Sequence, residues 1–171
     1  MRKLVLGLVM TVVAIALVAT AASLAAGRGN DDDNEFEARL AGFNEVPAVS
    51  TVAGGSFKAE VSESARAIRY RLSYEDLEAP VLFAHIHLGQ KDVNGGVSAF
   101  LCGGGGKPPC PQEGTVNGIV RQTDVIGPSG QGIAAGEFDE LVRAMRAGVT
   151  YANVHSEKFP GGEIRGQIKS D

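Results

Sequence analysis

The three histidines of this chain are the residues whose type and spacing best suit metal chemistry. His85 and His87 stand two apart, so on a β-strand their side chains point to the same face, about 6.6 Å apart along the chain. His155 ends a second predicted strand at 151–155. Three converging imidazoles bind zinc or copper at about 2.0–2.1 Å. The spacing therefore predicts a metal site if the two strands are neighbours; otherwise the histidines only hydrogen-bond to loops at strand ends.

Metal binding at such a site requires neutral imidazoles, because a protonated ring nitrogen has no lone pair to donate. The reference pKa of histidine is about 6.5. Copper or zinc affinity is therefore expected to fall below this pH.

Arg165 is a second candidate, in the run 162–168 near the end of the chain. On a strand, Glu163, Arg165 and Gln167 share one face, and the residues between them face the core. A structural role for Arg165 is pairing with a carboxylate such as Glu163 or with loop carbonyls. A functional role is to attract a small anion beside the histidines.

The two cysteines, Cys102 and Cys110, flank a loop rich in glycine and proline. Their spacing is not that of a C-x-x-C redox motif, and no second pair completes a zinc ribbon. In an exported protein this arrangement predicts a disulfide. Closing the loop would stabilise the fold by about 2.6 kcal/mol through chain entropy.

Short apolar runs separated by glycine and proline predict the elements that position these residues. In the run 66–74, Ile68, Tyr70 and Leu72 alternate with Arg69 and Arg71, as in a half-buried antiparallel strand. The pattern predicts an all-β fold, an antiparallel β-sandwich or barrel of about eight strands. The strands are expected near 35–43, 55–62, 66–74, 81–88, 96–101, 114–123, 149–155 and 162–168.

One segment departs from the strand pattern and predicts a short helix near 137–147. Its apolar residues recur at helical spacing, acidic residues come first and arginines last. This charge order suits the helix dipole, and Gly148 provides a stop.

The N-terminus predicts export. Arg2 and Lys3 precede an uncharged run from Leu4 to Ala26 that ends in small residues. This is typical of a secretory signal peptide over residues 1–26, cleaved after Ala25 or Ala26. The alternative is an uncleaved anchor, since the run is long enough to cross about 30 Å of hydrocarbon. The acidic segment 27–34 then predicts a solvated linker, and after cleavage no membrane span remains.

Composition excludes several classes of protein. The chain of 171 residues is 44% hydrophobic and 21% charged, which fits one globular domain rather than a disordered or polytopic membrane protein. The 16 Lys and Arg against 20 Asp and Glu give a net charge of −4, so a nucleic-acid partner is not expected.

Several segments resemble the CHRD domain, the module repeated in the animal protein chordin and found singly in exported bacterial proteins. The matching segments are 40–47, 84–89, 94–97, 151–156 and, most specifically, 159–168. The resemblance implies a CHRD domain over residues 35–171. It also implies an exported all-β binding or structural module, whose partner would be an extracytoplasmic protein or a cell-envelope ligand. It assigns no role to any residue.

A weaker resemblance is to the copper/zinc superoxide dismutases, which are Greek-key β-barrels. Their copper is held partly by an H-x-H strand and by a later histidine, with an arginine near the C-terminus. Here the order is His85, His87, His155 and Arg165. A bridging histidine, a zinc cluster and a cysteine near Arg165 are missing. The resemblance implies a Greek-key arrangement and, as an alternative function, mononuclear copper or zinc binding with dismutase-like chemistry.

Other catalytic constellations are incomplete, so enzymatic activity is not predicted. Glu157 and Glu163 lie in a glycine-rich segment, where they are expected to face solvent or pair with Arg165. Adjacent Ser156 and His155 point to opposite faces of a strand, which rules out a serine nucleophile activated by this histidine.

Overall fold

The computed structural model describes residues 34–171, and its fold is mostly β with one short helix. Over this range the chain forms nine strands: the first eight correspond to the eight predicted strands, and the two-residue β9 lies beyond the last predicted strand at 162–168. The strands are β1 (Glu35–Ala41), β2 (Gly54–Ser62), β3 (Ala67–Glu75), β4 (Val81–Leu88), β5 (Gly96–Cys102), β6 (Gly114–Arg121), β7 (Thr150–Ser156), β8 (Ile164–Gln167) and β9 (Lys169–Ser170).

All the strands belong to one antiparallel sheet in the order β5-β4-β7-β8-β1-β2-β3-β6, with β9 also paired to β1. The two edge strands, β5 and β6, follow each other along the chain and contact each other. The sheet therefore curls into a nearly closed barrel. Because β6 returns beside β3, strands β3 to β6 follow the Greek-key order, which confirms the predicted fold class.

Strand alternation separates the barrel interior from its surface. In β3, Ile68, Tyr70 and Leu72 are buried, whereas Arg69 and Arg71 are exposed. The predicted half-buried strand is confirmed. The same period of two continues through β1, where every second side chain enters the core.

The helix α1 (Phe138–Arg146) contributes its apolar face to the same core. Phe138, Leu141 and Met145 are almost completely buried against residues from the strands. The chain leaves the helix at Gly148, whose φ of 67° favours glycine. The predicted helix is confirmed, one residue shorter at each end.

A disulfide joins Cys102 and Cys110 at the seam between β5 and β6. Two tyrosines of β3 contact residues that flank the disulfide: Tyr70 donates a hydrogen bond to the carbonyl of Leu101 in β5 at 2.5 Å, and Tyr74 donates to that of Pro111 at 2.6 Å. The predicted disulfide is present, and it closes the loop between the end of β5 and the segment that leads into β6.

The predicted signal peptide lies outside the described residues, as does the predicted linker except for Asn34. Both stay predictions. From residue 34 onward, no helix has the length and apolar character needed to cross a bilayer.

Candidate metal centre

The three histidines lie on the outer face of two neighbouring strands. In β4, Ala84 and Ile86 point into the core and are fully buried, so His85 and His87 point outward. Strand β7 pairs with β4, and its His155 stands opposite Phe83 in the register. The sheet topology therefore brings together the residues that the sequence predicted as metal ligands.

The imidazole rings converge within a small volume. Nδ1 of His85 is 3.2 Å from Nε2 of His155. One ring nitrogen from each of the three histidines can be chosen so that all three lie within 4.8 Å of one another. Donors at this separation can reach one ion at about 2.0–2.1 Å after small side-chain rotations.

Backbone carbonyls orient two of the rings. Nδ1 of His87 is 3.0 Å from the carbonyl oxygen of Gly95, and Nδ1 of His155 is 3.0 Å from that of Pro160. Because a carbonyl oxygen only accepts, both Nδ1 atoms carry the proton and both Nε2 atoms keep a lone pair. Metal-bound histidines are oriented in the same way by outer carbonyls.

The Nε2 atom of His87 is buried and has no hydrogen-bond partner within residues 34–171. A buried acceptor left without a partner costs about 1–3 kcal/mol. His155 uses its Nε2 to accept a hydrogen bond from Nδ1 of His85. The donor set available to a metal is thus Nε2 of His87, Nε2 of His155 and, once its proton moves to the other ring nitrogen, Nδ1 of His85.

Aromatic rings surround the cluster. Phe83 packs against His85 and His155 at centroid distances of 4.7 and 4.8 Å, and Tyr151 stacks on His87 at 4.7 Å. Phe100 packs edge-on against His85 at 4.4 Å. The histidines are only 4–7% exposed. The rings thus exclude most water from the cluster.

Burial keeps the three imidazoles neutral. Desolvation lowers the pKa of His85 to about 3 and that of His87 to about 4, and it also lowers the pKa of His155. The positive charge of Arg165 adds to the effect on His87. In the folded protein, protons are therefore expected to compete with a metal ion for the imidazole nitrogens only at a pH well below the value near 6.5 that the sequence suggested.

Arg165 is buried beside the cluster, with its guanidinium 4.2 Å from the centre of the Tyr151 ring. It donates hydrogen bonds to Oδ1 of Asn94 at 2.8 Å and to the carbonyl of Val93 at 3.1 Å. Among the described residues it makes no ion pair within 4 Å. Of the alternatives that the sequence left open, the loop-carbonyl contact is present; the anion role stays a prediction.

Glu163 does not contact Arg165, and it does not face solvent. It is fully buried and accepts hydrogen bonds from the hydroxyls of Thr51 and Ser156 and from the backbone N–H of Glu78. The predicted position of Glu163 was wrong, because Ser156 and two donors that are distant in sequence, Thr51 and Glu78, hold its carboxylate inside.

Sequence reasoning missed one buried polar pair next to the site. Asn153, on β7 between Tyr151 and His155, donates to Oε1 of Glu45 at 2.5 Å. Desolvation raises the pKa of Glu45 to about 7, although Arg165 opposes the shift. Alternation along the strand predicted that Asn153 shares a face with Tyr151 and His155. Nothing in the sequence indicated that Glu45, in a distant loop, is its partner.

The fold, and the outer face of β4 and β7 that carries the histidines, together define an all-β domain. Its histidine cluster is buried on the outer side of a nearly closed barrel. The model of the CHRD domain family matches residues 36–168, almost the whole described range. The chain belongs to the CHRD domain family. No curated protein and no solved structure matches it significantly.

Proposed function

We propose that this protein is an exported CHRD-domain module that binds one copper or zinc ion through His85, His87 and His155. The observation that carries the proposal is the buried Nε2 of His87, which lacks a hydrogen-bond partner in the described part of the chain and belongs to a cluster with two further imidazoles. A metal ion would satisfy this lone pair. Metal-free packing leaves it without a partner.

The surroundings of the cluster support the same function. Gly95 and Pro160 supply the carbonyls that fix the tautomers of two ligands, so little reorganisation precedes binding. The low pKa values keep lone pairs available at neutral pH. A bound ion would add cross-links between β4 and β7 on the surface side of the barrel, and so stabilise the fold.

Export is the second part of the proposal. It is supported by the sequence pattern of residues 1–26 and by the disulfide between Cys102 and Cys110, which suits an oxidising compartment. We propose that the module acts on an extracytoplasmic protein or a cell-envelope ligand. Cell fractionation with N-terminal sequencing tests this part: recovery of the uncleaved chain in the cytoplasm would contradict it.

The metal part is tested by titrating metal-free protein, purified without a histidine tag, with zinc and separately with copper. We expect one equivalent to bind, and we expect His87→Gln and His155→Gln to abolish stoichiometric binding. Gln112→Ala, in the segment between Cys110 and β6, serves as a control that leaves binding intact. Circular dichroism checks that each variant is folded. A folded wild-type protein that binds neither metal would overturn the proposal.

A further inference from the structure

The donor set of the cluster carries no negative charge. Over residues 34–171, the histidine, cysteine, aspartate and glutamate side chains that come together as possible ligands are the three imidazoles alone. The nearby carboxylate of Glu45 is hydrogen-bonded to Asn153 rather than to a histidine. An ion held by these donors would keep its full formal charge within the site.

The surroundings of the cluster penalise that charge. Phe83, Phe100 and Tyr151 pack against the imidazoles, which are 4–7% exposed. The cost of placing a charge in a poorly polarisable medium grows with the square of the charge, so a divalent ion costs about four times as much as a monovalent ion. The guanidinium of Arg165, which lies over the Tyr151 ring, adds repulsion that also doubles for a divalent ion.

Coordination number acts in the same direction. Zinc takes four ligands, and with three protein ligands it requires a water or an anion in the fourth position. Cu(II) prefers a tetragonal set of donors. Cu(I) has a filled d shell and accepts three nitrogen donors without water. Three imidazole donors in a site from which aromatic rings exclude water therefore suit Cu(I) in both charge and coordination number.

We infer that the site formed by His85, His87 and His155 selects monovalent copper over zinc and over divalent copper. This inference rests on the proposed metal-binding function and adds the oxidation state of the ion. It assigns Phe83, Phe100 and Arg165 a role in selectivity, through exclusion of water and through charge.

The test compares three ions on metal-free wild-type protein under anaerobic conditions. Cu(I) affinity is measured by competition with bicinchoninate, and the affinities for zinc and Cu(II) by competition with divalent-ion chelators. We expect Cu(I) to bind more tightly than zinc and more tightly than Cu(II). Protein loaded with Cu(II) should lose its electron paramagnetic resonance signal on addition of ascorbate and regain it slowly in air.

The outcomes separate the two proposals. Zinc or Cu(II) binding as tightly as Cu(I) would overturn the selectivity and leave the metal site standing. Failure of all three ions to bind would overturn the metal site itself.

A pair of variants tests whether charge is the cause. Arg165→Gln removes the positive charge, and Arg165→Lys keeps it while losing the same two hydrogen bonds of the guanidinium. Because Coulomb energy scales with ion charge, Arg165→Gln should raise the zinc affinity by the square of the factor by which it raises the Cu(I) affinity. Arg165→Lys should leave the ratio of the two affinities unchanged. If the ratio of zinc affinity to Cu(I) affinity were the same in Arg165→Gln, in Arg165→Lys and in the wild type, the charge argument would be contradicted.

Discussion

Nδ1 of His85 lies 3.2 Å from Nε2 of His155, and the two residues are 70 positions apart in the sequence. Since Nδ1 of His155 donates to Pro160, the proton in this contact belongs to His85. The hydrogen bond therefore occupies two of the three nitrogen atoms that an ion would use, and one of them still carries a proton. Metal binding would replace one weak bond with two coordinate bonds and shift one proton within the His85 ring.

Tyr151→Phe should weaken metal binding while the barrel stays folded. The hydroxyl of Tyr151 accepts a hydrogen bond from the backbone N–H of Gly95 at 3.2 Å, and the carbonyl of Gly95 orients His87. Loss of an outer-sphere contact of this kind lowers metal affinity by about 10-fold. Chelator competition measures the effect.

The matched control is Tyr74→Phe, which loses the hydrogen bond to Pro111 on the opposite side of the barrel. It should cost about 1 kcal/mol of stability and leave metal affinity unchanged. Equal affinities in the two variants would show that the Tyr151 hydroxyl does not position His87.

Metal-free protein should lose stability as the pH falls from about 6.5 towards 4. The pKa values of the buried histidines are lowered, to about 3 for His85 and about 4 for His87, so the unfolded chain binds protons that the folded chain does not. Each such histidine contributes a slope of up to about 1.4 kcal/mol per pH unit. Glu45, with its pKa raised to about 7, acts with the opposite sign above pH 4.5, but the histidines outnumber it.

Urea unfolding of metal-free protein at several pH values measures this slope. His87→Gln removes one of the contributing groups, so its stability should vary less steeply with pH than that of the wild type. Parallel curves for the two proteins would contradict the burial of a neutral His87.

Gly95→Ala should destabilise the fold and weaken the site together. A Cβ at this position would lie 1.6 Å from the carbonyl oxygen of Leu88, so the backbone that holds His87 must move. We expect a loss of about 1–3 kcal/mol by thermal unfolding, with reduced metal affinity. Gly130→Ala is the control, because its Cβ meets no atom within 4 Å; its cost should stay below about 0.5 kcal/mol. Similar losses in both would argue against the close approach at Gly95.

Replacing both Cys102 and Cys110 with alanine should lower stability by about 2.6 kcal/mol, the loop-closure contribution of the disulfide. Metal affinity should stay the same, because the cysteine loop lies at the β5–β6 seam and the ligands lie on β4 and β7. Chemical denaturation and metal titration measure the two quantities. A large loss of affinity would show that the site depends on closure of the barrel.

Local patterns predicted eight of the nine strands and the helix because their signals are short-range. The alternation in β3 depends only on the period of two along an extended chain, and the helix depends on a period of 3.6 and on the charges at its ends. The two-residue β9 was not predicted, because it is a strand only through its pairing with Phe36 and Glu37 of β1.

Buried polar contacts could not be predicted in the same way. Glu163 looked like a solvent-facing residue because its sequence neighbours are glycines, yet its partners come from Thr51, Glu78 and Ser156. The Glu45–Asn153 pair spans 108 positions. Such contacts depend on which loops cover which strands, and no local pattern encodes that.

The sequence by itself determined that His85 and His87 share one face, that Cys102 and Cys110 flank one loop, and that the chain carries the motifs of a CHRD domain. These follow from the strand period and from residue order. Only the tertiary structure decided that β7 lies beside β4, that loop carbonyls fix two imidazoles, and that Nε2 of His87 is buried without a partner. The reason is physical: strand order and burial result from packing the whole barrel around one core, so they depend on every segment at once.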